Sequence, residues 1–293
     1  MKYHLNLIAA LQEQTFMTYL SIFRLGFSVI AFHVGTSMAQ GQIFTLSDNN
    51  ATADVDVGSA SGMYNWSVQG QEQLFQQWFW YRVGNSGPEA PINTISPALA
   101  VANTGTRGLS TTYSQAQFSV RVEYLLTGGL FGGTKSTIAE TITINNSSLS
   151  TLDFHFFQYS DFDLGGSASG DSVVIGKNLF TGLYNTANQF HPLVTFQESV
   201  ISPGANHAEV GIYPSTVNKL NDLDADTLND ITSLTGPGDV DWAFQWDFSI
   251  APGESTIINK SKSVELIPEP TSMALLLSAA AFCTMRRIRR SAF

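Results

Sequence analysis

From residue 116 to 126 apolar and polar positions alternate: Phe118, Val120, Val122 and Tyr124 fall on one side, Gln117, Ser119, Arg121 and Glu123 on the other. A period of two is that of a strand with one buried face. The same rhythm runs through residues 141–146, 152–159, 207–213 and 242–250. Turn chemistry separates these runs: Asn145-Asn146-Ser147, Gly165-Gly166-Ser167, Ser202-Pro203-Gly204 and Ala251-Pro252-Gly253. Many short strands between polar turns predict an all-β fold, a single antiparallel β-sandwich or jelly-roll-like domain. Trp242, Phe244, Trp246 and Phe248 supply a line of large rings for its core.

One stretch leaves the β rhythm. Over residues 217–234, Val217, Leu220, Leu223, Leu228 and Ile231 come near helical spacing, which predicts a short helical insertion across one end of the sandwich. Gly236-Pro237-Gly238 then returns the chain to a central strand beginning at Val240. Within the insertion Asp222, Asp224, Asp226 and Asp230 occupy positions one, three, five and nine of a calcium-loop count, which makes Ca2+ a candidate ligand. Thr227 replaces the turn glycine and Ser233 the bidentate glutamate, so a solvated acidic loop is the stronger expectation. A second acidic segment, with Asp161, Asp163 and Asp171 around Gly165-Gly166, follows a strand end and is a weaker candidate for a cation or a sugar.

Both ends of the 293-residue chain carry short apolar runs. Residues 25–34 follow Arg24 and lead to Ser37 and Ala39, the small-residue pattern of a signal-peptide cleavage site. Cleavage is expected between Ala39 and Gln40, with Met17 as an alternative start. At the other end Pro268-Glu269-Pro270 precedes an apolar run over 273–285 and then Arg286, Arg287, Arg289 and Arg290. The prolines isolate the tail, the apolar run enters a bilayer as a helix, and the arginines hold the cytoplasmic side. The reading is therefore a signal peptide (1–39), an exported β-sandwich domain (40–267) and a sorting tail (268–293). Residues 40–267 hold 8 basic and 22 acidic side chains, a formal charge of −14. Such a body repels phosphates, so nucleic acid is not an expected partner. The single cysteine, Cys283, lies in the tail, so the exported body has no disulfide and its core must stabilise it.

The order Pro268-Glu269-Pro270, apolar segment and terminal arginines resembles a PEP-CTERM sorting signal, found on exported proteins of Gram-negative bacteria that make extracellular polysaccharide. The resemblance covers about a tenth of the chain. It implies passage through the Sec export machinery, transient anchoring in the inner membrane by a membrane-spanning helix, recognition by an exosortase, and a final place at the cell surface or outside. The segment from Phe154 to Asp161 and the strand from Trp242 to Ile250 with the turn after it are similar to uncharacterised β-sandwich proteins that carry this signal.

Catalytic constellations are sparse. His155, His191 and His207 stand in or beside expected strands without the spacing of joint zinc ligands. There is no Gly-x-Ser-x-Gly elbow. These absences favour a non-enzymatic surface or extracellular-matrix protein associated with exopolysaccharide, with Trp66, Trp78, Trp80 and Tyr81 as rings to stack on sugars and no catalytic residues or cofactor. The alternative is a carbohydrate-active enzyme on the same scaffold, with Glu123 and Glu140 as its carboxylate pair.

Overall fold

The computed structural model describes residues 42–103 and 105–268. The cleavage pair Ala39 and Gln40, and the sorting residues Glu269, Pro270, Arg286, Arg287, Arg289 and Arg290, lie outside them; Pro268 is exposed at their end. No helix among the described residues is long and apolar enough to cross a membrane.

Among the described residues eighteen strands form two sheets. In chain order they are β1 (Ile43–Asp48), β2 (Ala51–Asp56), β3 (Gly62–Val68), β4 (Gln71–Glu72), β5 (Gln76–Val83), β6 (Ala90–Pro91), β7 (Leu99–Asn103), β8 (Gly108–Ser114) and β9 (Phe118–Gly128). There follow β10 (Lys135–Asn146), β11 (Leu152–Asp161), β12 (Asp171–Lys177), β13 (Tyr184–His191), β14 (Val194–Ser202), β15 (His207–Ile212), β16 (Ser233–Gly238), β17 (Val240–Ile250) and β18 (Ser255–Leu266). The first sheet runs β1-β2-β3-β5-β11-β17-β15, with β4 and β6 on its flanks, and the second runs β16-β12-β13-β14-β18-β10-β9-β8-β7. Pairing is antiparallel throughout except between β3 and β5. The expected antiparallel β-sandwich is therefore the observed fold.

Inward-facing rings fill the space between the sheets. Phe118 of β9 meets Phe154 of β11 edge to face, with centroids 5.1 Å apart. Trp242, Phe244 and Trp246 are fully buried, as their alternation predicts. Trp66, Trp78 and Trp80 are equally buried and Tyr81 packs against the core, so none of the four is an open platform for a sugar. The indole N–H groups of the three tryptophans are satisfied locally: Trp66 donates to Ser136, Trp78 to Asn93 and Trp80 to Asn221.

An ionic network crosses the same core. Glu140 of β10 takes Lys260 and Lys262 of β18 as partners; Lys260 also reaches Gln158 of β11, and Lys262 reaches Gln77 of β5. Gln158 donates to Glu198 of β14 at 2.8 Å. Burial pushes Glu140 up, and the two ammonium groups more than reverse it. Burial pushes Lys262 down to about 8 against the pull of Glu140.

The insertion departs from expectation in extent. Only Ser215–Leu220, α1, is helical, and the chain then runs irregularly to β16. Gly236-Pro237-Gly238 is not a bare turn but closes β16, which pairs with β12 at the edge of the second sheet.

Candidate active site on the outer face of the first sheet

Along β11 the even positions Phe154, Phe156, Gln158 and Ser160 face the second sheet, so Asp153, His155, Phe157, Tyr159 and Asp161 point to the opposite, outer face. Register extends that face across three strands. Arg82 of β5 lies beside His155, and His155 lies beside Asp247 of β17. One row on, Trp80, Phe157, Gln245 and His207 of β15 are neighbours.

Two histidines converge on one carboxylate here. His155 Nδ1 lies 2.6 Å from Asp247 Oδ1, and His207 Nε2 lies 3.6 Å from Asp247 Oδ2. Gln245 Nε2 also donates to Asp247 Oδ1 at 2.8 Å, and the Asp247 backbone N–H donates to Asn206. With its proton on Nδ1 toward Asp247, His155 leaves the Nε2 lone pair free; that tautomer is assigned from the carboxylate's demand for a donor. Nε2 has no hydrogen-bond partner, although Asp153 Oδ1 stands 3.7 Å away. On the other histidine Nδ1 sits 3.2 Å from Asp230 Oδ2. Burial pushes the Asp230 carboxyl up, but bonds from His207 and the Ala208 N–H outweigh it and hold the group below its usual range.

The acidic segment after α1 lies across this face. Arg82 Nη1 donates to the Asp226 carbonyl at 2.7 Å, Leu228 N–H to Gln245 at 2.9 Å and Asn229 N–H to Glu209 at 3.0 Å. Arg82 is paired with Glu89, whose pKa is raised, first by burial. Beyond the segment the row is only partly open: Asp247 is 29% and His207 33% exposed, whereas the His155 side chain is 10% exposed and its Nε2 is shielded from solvent. A histidine base held by a carboxylate, with a second histidine beside it, can take a proton from one substrate atom and deliver one to another.

The residues expected from sequence are placed differently. Asp230 serves His207, Asp226 sits against Glu89 through its N–H, and Asp222 accepts from the Asp224 N–H in a local turn. They thus line the segment over the histidines rather than enclosing one point as an EF-type loop does. Glu123 and Glu140 stand on opposite faces of the second sheet: Glu140 is sealed in the core with two lysines, and Glu123 is paired with Arg121 on the surface. They cannot flank one glycosidic bond. The His155–Asp247–His207 set escaped sequence reasoning because its members lie on three strands. The parity of each strand was the available signal, since all three occupy polar positions of alternating runs.

A concavity of about 360 Å³ lies away from the histidines, lined by Asp56, Ser61, Tyr64, Phe75, Gln76 and Tyr213. Phe75 and Tyr213 meet edge to face at 6.1 Å. Gln76 and Arg82 are six residues apart on β5, about 20 Å, so one monosaccharide does not reach both regions.

No family model and no curated protein matches the sequence. Solved structures do resemble the fold. A bacterial glucoamylase complexed with acarbose superposes with a TM-score of 0.54 at 8% identity, over 80% of this chain, which spans only 35% of that enzyme. A candidate aldose 1-epimerase of Escherichia coli K12 gives 0.51 at 14% identity, covering 78% of this chain and 100% of the other. A galactose mutarotase-like protein of Lactobacillus casei gives 0.50 at 8% identity, covering 77% and 100%. By these likenesses the β-sandwich resembles galactose-mutarotase-like folds. The likenesses overturn the expectation of a non-enzymatic matrix protein, which rested on missing motifs, since the glucoamylase and the candidate aldose 1-epimerase carry the names of carbohydrate-active enzymes.

Proposed function

We propose that this domain is a carbohydrate-active enzyme that performs acid–base chemistry at the anomeric carbon of an aldose. The observation behind the reading is the pair of histidines on Asp247, set on a fold shared with a candidate aldose 1-epimerase. Interconverting anomers needs one group to take the proton of the anomeric hydroxyl and another to protonate the ring oxygen as the C1–O bond breaks. The open-chain aldehyde then turns and closes on its other face, and the protons return. His155 is the base in this scheme, oriented by Asp247 through Nδ1; its Nε2 is shielded in this structure, so the sugar must displace the side chains over it. His207, fixed by Asp230, delivers the proton to the ring oxygen. Asp153, exposed beside the histidine, binds sugar hydroxyls, and Arg82, buried and paired with Glu89, holds the segment over the site.

Polarimetry of a freshly dissolved aldose tests the scheme. The wild-type protein should speed mutarotation above the spontaneous rate, and His155→Gln or Asp247→Asn should remove at least ~100-fold of that acceleration, the usual share of a general base. A wild-type protein that leaves the spontaneous rate unchanged for glucose, galactose, mannose and xylose would overturn it.

We further propose that the body reaches its place of action by export, with Ala39–Gln40 as the cleavage site and the Pro268-Glu269-Pro270 tail as an exosortase substrate. The spacing of the three tail elements supports this. Mass spectrometry of the protein recovered from cells and medium checks it: both termini should be trimmed, and an intact precursor in the cytosol would refute it.

A further inference from the structure

Six residues along β11 from His155, at the other end of the outer face, three carboxylates meet. Asp161 closes β11, Asp163 follows in the connection to β12, and Asp239 forms the turn between β16 and β17. One oxygen from each lies within 4.8 Å of the other two. None of the three makes an ion pair among the described residues.

Close carboxylates alone carry little, but here buried oxygens are left over. Asp161 is 2% exposed; its Oδ2 receives the Tyr159 hydroxyl at 3.3 Å, and its Oδ1 has no partner. Asp171, 1% exposed, stands close enough for its charge to be felt with those of Asp163 and Asp239. Its Oδ2 accepts from Leu164 N–H and Gln189, and its Oδ1 is also unpartnered. Asp241 completes the surround, held by the Thr216 hydroxyl at 2.7 Å and the Thr216 N–H at 3.2 Å. Buried oxygens without donors cost free energy comparable to a lost hydrogen bond, and like charges this close repel.

We propose that Asp161, Asp163 and Asp239 bind a hard divalent cation, calcium, with Asp161 Oδ1 as its most buried ligand. The donor set is all carboxylate oxygen, with no histidine or cysteine, which suits calcium over zinc or copper. A cation there relieves the repulsion and joins two segments distant in sequence, the β11–β12 connection and the β16–β17 turn. It is distinct from the Asp222, Asp224, Asp226 and Asp230 segment.

Calorimetric titration of the chelator-stripped full chain with CaCl2, together with thermal melts, reads this out without any sugar. One site is expected, with a Tm rise on the order of 5 °C at a hundredfold excess over Kd. Asp163→Asn and Asp239→Asn should each weaken binding at least tenfold, while the Asp222→Asn/Asp224→Asn double variant binds as wild type. Asp161→Asn should melt higher than wild type in chelator and show no calcium shift. Absence of heat and of any Tm change at millimolar CaCl2 would overturn the proposal. So would calcium binding that survives both single variants and is lost in the Asp222/Asp224 double variant.

Discussion

Glu140 occupies an inward position of β10, where neighbouring inward side chains are isoleucines. A carboxylate survives there because two ammonium groups close on it, each of them also donating to a buried carboxamide. Removing its charge leaves Lys262 without its carboxylate and Lys260 with only Glu198, 3.4 Å away, so Glu140→Gln should cost about 3–5 kcal/mol in urea unfolding. Lys262 gives the network a pH signature. Its folded value of about 8 lies below its unfolded one, so between about pH 8 and 10 the unfolded chain holds the extra proton. Stability contributed through this group should therefore rise with pH across that window, and the slope should vanish in Lys262→Met. Gly62 is a tight point of another kind: at φ +61°, a Cβ would lie 2.4 Å from the Gln77 carbonyl and from the Trp78 ring. Gly62→Ala should cost ~3 kcal/mol by the same measurement, because β3 could no longer lie against β5.

At the scale of elements, the segment after α1 links the acidic insertion to the histidines. Asp230→Asn removes the carboxylate that fixes His207 while leaving the core intact. Polarimetric turnover should fall about tenfold with unfolding unchanged within about 0.5 kcal/mol, as expected of a half-exposed side chain. A matching loss of stability would assign Asp230 a structural role instead. Strands such as β9 and β17 were legible in sequence because one face is wet or polar and the other packed, which writes a period of two into the chain, whereas β11, buried on both faces, alternates less cleanly. The insertion was less legible: its apolar residues have near-helical spacing, yet Leu228 is held by an N–H bond to Gln245 rather than by a helix. Gly236-Pro237-Gly238 looked like a turn, and edge position explains why it closes a strand, since an edge tolerates a proline without an N–H. The site itself was the least legible. His155 and Asp247 are 92 residues apart, and only the pairing of β11 with β17, which no local pattern encodes, makes them neighbours.

For the molecule as a whole, charge is the dominant surface property. Part of the −14 of residues 40–267 lies inside. Arg82, Lys260 and Lys262 are buried, but so are more carboxylates, among them Glu89, Glu140, Glu198, Asp161, Asp171 and Asp241. The surface therefore carries a smaller excess of acid than the count, though still a net negative one. Self-repulsion of that kind weakens as salt screens it, and the Tm should rise between 10 mM and 0.5 M NaCl. A falling Tm would assign the balance to attractive surface pairs. The outer face of the first sheet also has an architectural consequence. Strands β11 and β17 carry the histidine row at one end and the carboxylate row at the other, so the pair acts as a measuring rod about 20 Å long. A slip of β17 past β11 by two positions would separate His155 from Asp247 and Asp161 from Asp241 in a single stroke. Neither locus can drift alone, and any lesion that shears these strands will announce itself at both ends.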